Sequence, residues 1–279
     1  MSVINTNVSA MYSQNAMKTN ARAMSTAMQQ LSTGTRVNSA KDDAAGLAIG
    51  QNMTSQIRGL NMAVRNLNDG INMMQTAEGA MIEQSNMLQR MRELSVQAMN
   101  GTYSSVQRSY LDLEFQQLST QIGKIASDTT WNDQTLLNAA NASAGGTSGI
   151  FTFQAGQASG QTVSVTIGNM SRSGLGISGL AISTASGATS SLDTIITALE
   201  TINQQRATIG AGINRMEYAA DNLTNISSNA TQSRSTIMDT DYALATTQLA
   251  KTQIIQQAAT AMLAQANQQP QAVMTLLKG

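Results

Sequence analysis

Two residue types are missing from this chain of 279 residues, which contains neither cysteine nor histidine. Without cysteine no disulfide can form, so packing alone must hold the fold together. Without histidine the chain lacks the commonest general base, the usual zinc ligand and one member of a Ser-His-Asp triad. These absences argue against an enzyme, and we predict no catalytic residue, no metal site and no cofactor.

Aromatic and charged residues are scarce, at 3% and 11% of the chain, and the positive and negative charges balance. The core must therefore be built from Met, Leu, Ile and Ala, a mixture that suits long helices. Lys and Arg are scattered, and no basic run is interleaved with aromatic residues as on a nucleic-acid-binding surface. We therefore expect no nucleic acid as a partner.

Signals for a cleaved leader or a membrane span are weak. The first basic residue is Lys18 and no continuous apolar run follows the amino terminus, so we expect no cleaved signal peptide. The stretch between Lys251 and Lys278 has no charge, but these residues interrupt it: Gln256, Gln257, Gln265, Gln268, Gln269 and Pro270. Because glutamine is costly in hydrocarbon, we predict that this stretch faces a protein partner and does not insert into a membrane.

Both ends of the chain carry apolar residues at helical spacing with few charges between them. Neither end can bury its stripe alone, because an isolated amphipathic helix is marginal in water. We therefore predict that the two ends pair and complete their packing against other copies of the chain. The predicted polymerisation residues are Val3, Ala10, Met17, Met24, Met28, Leu31, Leu249, Ile255, Met262, Ala266, Leu276 and Leu277.

The first of three predicted long helices runs over residues 43–99. Ser39 and Asp42 form a capping-box pattern before it, and Asn100-Gly101 is a stop signal after it. The apolar seam shifts gradually around the helix along its length, because 3.6 residues per turn do not match a strict seven-residue repeat. The seam residues are Met53, Ile57, Leu60, Val64, Leu67, Ile71 and Met74, followed by Met81, Met87, Leu88, Met91 and Leu94.

Two further long helices follow in the sequence. Ser104 and Gln107 predict the start of the second, whose apolar seam spans residues 111–125. The third begins near Ser190 and carries a similar stripe to residue 230. The short connection and the matching stripes favour one antiparallel bundle of the three helices.

The helical period disappears between residues 138 and 190, where Gly, Ser, Ala and Thr dominate. Alternating apolar residues predict a β-hairpin in this region. They are Phe151, Phe153, Val163, Val165 and Ile167. We expect the Gly/Ser-rich part that follows, over residues 171–190, to be a surface segment that tolerates variation.

The predicted fold class is therefore mainly α. It comprises an elongated antiparallel long-helix bundle with a small β-hairpin region, plus paired terminal helices in a coiled-coil-like domain. The predicted terminal-helix domain contains residues 1–44 with 235–279. The bundle domain contains residues 45–137 with 190–234, and residues 138–189 hold the hairpin and the variable region.

Two pairs of acidic residues have competing interpretations. Asp42 and Asp43 could act as a general acid and base, but adjacent helical residues diverge by about 100° and helix capping already explains both. Asp239 and Asp241 could bind a hard cation, but no loop of alternating oxygen ligands surrounds them, so a helix start is favoured. The methionines fall on the stripes of Leu and Ile, which favours a role in the core.

Two motifs at opposite ends of the chain carry a family resemblance. The segment Leu31–Ile49 (LSTGTRVNSAKDDAAGLAI) resembles the amino-terminal signature of bacterial flagellin, and Ile4–Asn7 (INTN) fits it as well. Ala258–Gln268 (AATAMLAQANQ) and Thr275–Leu277 (TLL) resemble the flagellin carboxy terminus. The resemblance covers the chain except for residues 138–190.

This resemblance implies a structural subunit that assembles itself into the hollow helical filament of the bacterial flagellum and serves swimming motility. In the family, the paired terminal helices form the inner tube and the helix bundle surrounds it, and this chain resembles a short form without outer domains. The implied partners are further copies of the chain, the flagellar type III export machinery with a secretion chaperone, and the filament cap and hook-associated proteins. The implied location is extracellular, in the flagellar filament.

A second implied function is recognition by a host receptor. Residues 89–97 (QRMRELSVQ) resemble the segment that the flagellin-sensing Toll-like receptor contacts in stimulatory flagellins. In this resemblance the recognition residues are Gln89, Arg90, Glu93, Leu94, Gln97 and Glu114, with Arg90, Leu94 and Glu114 at the central positions. Spacing alone instead favours a solvated helix face with Leu94 partly in the bundle.

Three rival functions follow from the same features. A hook-filament junction protein shares the terminal helices but forms a short junction instead of a long polymer. A flagellin carrying a protease insert requires histidine in a zinc motif, which this chain lacks. A secreted, membrane-active amphipathic protein would make lipid vesicles leak without forming filaments.

Overall fold

The computed structural model describes residues 6–138 and 149–278, with side chains up to residue 268. Five helices and four short strands occur in these ranges. They are α1 (Val8–Thr33), α2 (Ala44–Met99), α3 (Ser105–Asp128), β1 (Thr130–Trp131), β2 (Gln134–Thr135), β3 (Ile150–Gln154), β4 (Thr162–Thr166), α4 (Ala185–Met238) and α5 (Tyr242–Lys278). The prediction of a mainly α fold with a small hairpin region is confirmed.

Two compact units make up the fold. The terminal unit comprises Met1–Ile57 and Ser228–Gly279, and the bundle unit comprises Arg58–Ser227. Both division points fall inside helices, because α2 and α4 each contribute residues to both units. The division into three functional domains stays a prediction.

The core of the bundle unit consists of large apolar side chains from α2, α3 and α4. Each of the following is 0% exposed: Leu67, Met74, Met81, Leu88, Met91, Phe115, Ile122, Ile195, Ile202, Ile209 and Met216. Burial stabilises each of them by about 1.5–3 kcal/mol relative to exposure. Most of the apolar seam residues predicted for the three long helices thus lie in one shared core.

The hairpin of β3 and β4 packs on this core through alternate residues. Phe151 lies opposite Val165 and Phe153 lies opposite Val163 in the antiparallel register. The two valines are buried, whereas the intervening Ser164 is exposed. This alternation confirms the predicted hairpin, because successive strand residues point to opposite faces.

A second, two-residue hairpin joins β1 to β2 and is not among the sequence predictions. Asn132 and Asp133 form its turn, with φ values of 49° and 63°. Asn and Asp tolerate this left-handed region better than most residues that carry a side chain. The Asn-Asp pair between Thr-Trp and Gln-Thr is therefore the signal that identifies this turn.

Part of the Gly/Ser-rich segment belongs to the core, so the expectation of a surface segment over residues 171–190 is wrong there. Three of its large apolar side chains are 5% exposed or less, namely those of Leu175, Ile177 and Ile182. Two α3 side chains hold its backbone: Asp112 accepts a hydrogen bond from the Ile182 N–H at 2.8 Å, and Gln116 donates to the Leu180 carbonyl at 2.7 Å. The buried apolar side chains and the two hydrogen bonds to the backbone therefore fix this segment on the core, although most of its residues are polar or glycine.

The start of α2 differs from the predicted capping box. Asp43 Oδ1 accepts a hydrogen bond from the Gly46 N–H at 2.8 Å, so Asp43 caps the helix. Asp42 instead closes the preceding turn by accepting bonds from the Ser39 hydroxyl and backbone N–H, both at 2.9 Å. These bonds, the hydroxyl first, lower the pKa of Asp42 because they favour its ionised form.

The starts of α3 and α5 have the predicted capping residues, whereas the start of α4 differs from its prediction. Ser104 and Gln107 form the capping box of α3. Asp241 Oδ1 accepts a hydrogen bond from the Ala243 N–H at 2.9 Å at the start of α5, which supports helix capping over a cation site. Helix α4 begins at Ala185, earlier than the predicted start near Ser190.

Candidate functional site

Helices α1 and α5 pack together as an antiparallel pair within the terminal unit. Asn7 Nδ2 donates to the Ala266 carbonyl at 2.8 Å, and Asn20 Nδ2 donates to the Thr252 carbonyl at 2.7 Å. Later residues of α1 thus contact earlier residues of α5, which shows that the two helices run in opposite directions. Because the Asn20 side chain is buried, its amide fixes which turn of α5 faces it.

The end of α1 is tied to the residues that precede α5. Gly34 ends α1 in the left-handed conformation, with a φ of 71°, and its carbonyl accepts a hydrogen bond from the Thr240 N–H at 3.0 Å. Arg36 donates its backbone N–H to the Met238 carbonyl at 2.6 Å and its guanidinium to the Ile237 carbonyl at 2.7 Å. Hydrogen bonds from backbone N–H groups and from the Arg36 guanidinium to backbone carbonyls thus hold the end of α1 beside the residues that precede α5.

Small residues fill the buried side of the α1–α5 pair. The buried apolar residues described on these two helices are Ala10, Ala27, Ala245 and Ala266. An alanine buries little apolar area, so these contacts contribute much less than the Leu, Met and Phe side chains of a bundle core. Within the described part of the pair, the buried apolar residues are therefore all small, and the larger apolar side chains are at most half-buried.

Large apolar side chains of the same two helices remain in contact with solvent. Ile254 is 65% exposed and Met262 is 64% exposed. Other exposed members are Val8, Met11, Tyr12, Met28, Tyr242, Leu244 and Ile255. Helical spacing places Leu244, Ile255 and Met262 on one side of α5. A monomeric soluble protein rarely leaves so many large apolar residues uncovered, so this exposed apolar surface of α1 and α5, called their apolar face below, is suited to bind another apolar surface.

The predicted polymerisation residues divide by burial. Ala10 and Ala266 are buried, Met17, Met24, Leu31 and Leu249 are half-buried, and Met28, Ile255 and Met262 are exposed. Val3 and the side chains of Leu276 and Leu277 lie outside the described residues. Apolar spacing does not find the residues whose hydrogen bonds connect the two helices, which are Asn7, Asn20 and Thr252. They could have been noticed in the sequence as polar residues that interrupt an apolar stripe.

A charged cluster joins α2 to α3 in the bundle unit. The Arg90 guanidinium donates from Nε to Glu114 on α3 and from Nη1 to Glu93 one turn away, both at 2.9 Å. These hydrogen bonds, that of Glu114 first, raise the pKa of Arg90. Gln97 donates to the Tyr103 hydroxyl at 2.8 Å on the same side of the turn between the helices.

The six predicted recognition residues do not share one environment. Gln89, Arg90, Glu93, Gln97 and Glu114 are exposed. Leu94 is 1% exposed and lies in the bundle core. Leu94 thus presents almost no surface of its own.

Other site chemistry is not found in the part of the chain that the structure describes. Over residues 6–138 and 149–278, no group of three acidic side chains is placed to hold a metal ion. Among the described helices, none combines the length and the apolar character needed to cross a bilayer. The surfaces that stand out are the apolar face of α1 and α5 and the charged cluster around Arg90.

Two family models match the chain and together cover most of it. The bacterial flagellin N-terminal helical region matches residues 4–142, and the bacterial flagellin C-terminal helical region matches residues 192–277. These matches contain both surfaces described above.

Individual relatives agree with the family models. A flagellin of Halalkalibacterium halodurans is 41% identical over 278 residues, which span 99% of this chain and 100% of the relative. The flagellar filament 30.7 kDa core protein of Treponema maltophilum is 38% identical and is covered to 99%, as is this chain. The crystal structure of Bacillus cereus flagellin is similar with a TM-score of 0.50 at 30% identity, covering 57% of this chain and 88% of that one. The chain belongs to the bacterial flagellin family.

Proposed function

We propose that this chain is the structural subunit of an extracellular flagellar filament and that it polymerises through the exposed apolar face of α1 and α5. The observation that carries the proposal is the contrast between the alanines inside the pair and the exposed Ile254, Ile255 and Met262 on its surface. Covering one large apolar side chain contributes about 1.5–3 kcal/mol. Contacts with neighbouring copies would thus supply the stabilisation that the pair lacks.

Assembly by this route couples folding to binding. In the free protein the bundle unit stays folded on its own core, while the α1–α5 pair is only marginally held. At the growing end, buried apolar area offsets the entropy lost when both helices become fixed. A helical polymer results because one surface of a copy meets a different surface of the next and the contacts do not close into a ring.

Seeded elongation tests the polymerisation surface. Met262→Glu places a charge on the apolar face and is expected to slow elongation by roughly 10- to 100-fold, which corresponds to the lost contact energy. Gln257→Glu adds the same charge at an exposed polar position of α5 and is the matched control. Electron microscopy would measure filament length, and equal elongation by both variants would contradict the proposal.

The same experiment separates the filament subunit from its closest rival. A hook-filament junction protein would bind to seed ends without extending them. If the unaltered protein never lengthens seeds under conditions in which another flagellin does, the junction function replaces the filament function. Vesicle leakage in place of elongation would favour the membrane-active alternative.

The charged cluster supports a second function, recognition by the host's flagellin-sensing Toll-like receptor. Arg90 and Glu114 are half-exposed, although they pair across α2 and α3, so they can exchange partners with an incoming surface. Gln89, Glu93 and Gln97 extend the polar surface along α2. Leu94 has a positioning role in this proposal, because it fixes the turn of α2 that presents Arg90.

A double substitution tests receptor recognition. Arg90→Ala with Glu114→Ala is expected to reduce receptor activation by the soluble protein at least tenfold, since both charged partners are lost. Arg65→Ala with Glu83→Ala is the control, because both residues are exposed on α2 and neither forms an ion pair among the described residues. Unchanged activation by the first double variant would remove the assignment.

Export and delivery complete the proposal. A filament subunit must leave the cell before it assembles, which requires the flagellar type III export machinery and a chaperone that covers the apolar face of α5. At the filament, the cap and the hook-associated proteins are the expected neighbours of the first and last copies. Co-purification of the chain with a chaperone that Met262→Glu abolishes would support this part.

A further inference from the structure

The turn between α2 and α3 contains the one Asn-Gly dipeptide of the sequence, Asn100-Gly101. Helix α2 ends at Met99 and α3 begins at Ser105, so the dipeptide lies between two helix ends. Both residues are exposed. Asn-Gly is the dipeptide in which the backbone nitrogen reaches the preceding side-chain amide with least hindrance, because glycine has no Cβ.

The local hydrogen bonds prepare the asparagine amide for attack. Thr102 donates its backbone N–H to Asn100 Oδ1 at 3.2 Å, which draws electron density from the side-chain carbonyl carbon. The same donor stabilises the negative charge that develops on Oδ1 when a nucleophile adds, as in an oxyanion hole. The Asn100 Nδ2 group donates no hydrogen bond within the described residues, so nothing in the fold retains it as a leaving group.

The backbone nitrogen of Gly101 is equally unrestrained. Its N–H donates no hydrogen bond to any described residue, whereas the N–H groups of Asn100 and Tyr103 are bonded to Gln97 and Asn100 carbonyls. A Cβ built on Gly101 would meet no atom within 4 Å. The turn therefore has both the free nucleophile and the space in which it can move.

We propose that Asn100 is a built-in site of spontaneous deamidation. The Gly101 nitrogen loses its proton to solvent base and attacks Asn100 Cγ. Nδ2 then takes one proton from solvent, and the bond from Cγ to Nδ2 breaks as ammonia leaves. The cyclic imide that results is opened by one water molecule at either carbonyl. The products are aspartate or an isoaspartyl linkage, with no change of oxidation state.

Asn38, a second asparagine followed by a small residue, is protected from deamidation by its hydrogen bonds. Asn38 precedes Ser39, but its Nδ2 donates to the Thr35 carbonyl and its Oδ1 accepts from the Thr35 hydroxyl, both at 2.8 Å. The Ser39 N–H donates to the Asp42 carboxylate at 2.9 Å. Leaving group and nucleophile are both held there, so the folded chain suppresses the same reaction.

Deamidation would change the end of α2. A carboxylate at position 100 lies at the negative end of the helix dipole, which it opposes. Arg108 currently donates to the Ala98 and Asn100 carbonyls at 2.8 and 3.0 Å, and the new charge would compete for it. The isoaspartyl form also lengthens the turn by one methylene group, next to the Gln97–Tyr103 contact.

Peptide mapping of the full soluble chain tests the site. During incubation at mildly alkaline pH, isoaspartate and aspartate are expected to accumulate at position 100 before any other asparagine, and faster as the pH rises. Gly101→Ala is the matched variant, because the added methyl group meets nothing in the fold but hinders the attacking nitrogen. It should slow conversion several-fold and leave the thermal midpoint unchanged.

Denatured protein provides the internal reference. Conversion at Asn100 should be nearly as fast in the folded chain as in the denatured chain, whereas conversion at Asn38 should be much slower in the folded chain. A folded chain that suppresses conversion at Asn100 as strongly as at Asn38, or a Gly101→Ala variant that converts at the original rate, would overturn the proposal.

Discussion

The bundle unit and the α1–α5 pair are both built from long helices but bury different side chains. In the bundle, Phe115, Leu67 and Met81 are fully enclosed. In the pair, alanines lie inside, and Ile254 and Met262 face solvent. Helix formation alone therefore does not decide whether a region is stable by itself, because that depends on where the large apolar residues point.

The buried polar residues differ in the same way. Gln84 is fully buried in the bundle, where its amide donates to the Ile122 and Met170 carbonyls at 3.3 and 3.2 Å. In the pair, the Asn20 amide donates to the Thr252 carbonyl, and the buried apolar residues described on the two helices are alanines. A polar bond in the bundle adds specificity to a strong core, whereas in the pair it is a main source of register.

The largest expected effect is a truncation in the bundle core. Phe115→Ala should lower the free energy of unfolding by about 3–5 kcal/mol, since it removes a buried ring and leaves a cavity. Ile254→Ala in α5 should change the same quantity by less than about 0.5 kcal/mol, because its side chain is mostly exposed. Chemical denaturation of the free protein measures the free energy of unfolding of both variants. Similar losses would show that the bundle and the pair do not differ in this way.

Two glycines of α4 allow a comparison of the same substitution at a tightly packed position and at an open position of the bundle. A Cβ at Gly212 would lie 2.8 Å from Val165 Cγ2, whereas a Cβ at Gly210 would meet nothing within 4 Å. Gly212→Ala should be less stable than Gly210→Ala by about 1–3 kcal/mol, because overpacking opposes the gain in helix propensity. Thermal unfolding of the two variants tests whether β4 packs on α4 as closely as described.

In the pair, Asn20→Ala is expected to cost about 1 kcal/mol, the net value of one buried hydrogen bond. The loss should appear as faster proteolysis of α1 and α5, with the bundle unaffected. Asn15→Ala, at an exposed position of α1, is the control and should cleave at the original rate. Equal cleavage of both variants would mean that Asn20 does not hold the register.

The smallest expected effect is a pH dependence at the turn before α2. The folded pKa of Asp42 is lowered, so its contribution to stability is present at neutral pH and is lost as the pH falls through that lowered pKa. The protection factor of the Ser39 amide, which is the ratio of its intrinsic to its observed hydrogen-exchange rate, should fall in that range. Asp42→Asn should remove this pH dependence.

Much of the helical fold could be predicted, because long apolar seams and capping residues report directly on helices. The predicted start of α2 at residue 43 is one residue from the observed Ala44, and the α3 capping box is present. The β1–β2 hairpin escaped prediction because two residues per strand give no period. The burial of Ile177 and Ile182 depends on contacts with distant helices, which local composition does not encode.

The candidate surfaces could be predicted only in part. Apolar spacing selected Met28, Ile255 and Met262, which are exposed, but also Ala10 and Ala266, which are buried. Spacing identifies a stripe without revealing which edge of it a partner helix covers. Asn20 is polar, and its importance emerges only when α5 is placed beside it.

Residue-resolved hydrogen exchange of the free and polymerised protein tests the central claim most directly. In the free protein, amides of α1 and α5 should exchange much faster than those around Phe115, and polymerisation should protect them while leaving the bundle nearly unchanged. If α1 and α5 were as protected as the bundle core in the free protein, and gained nothing on polymerisation, neighbouring copies would not be what completes the pair.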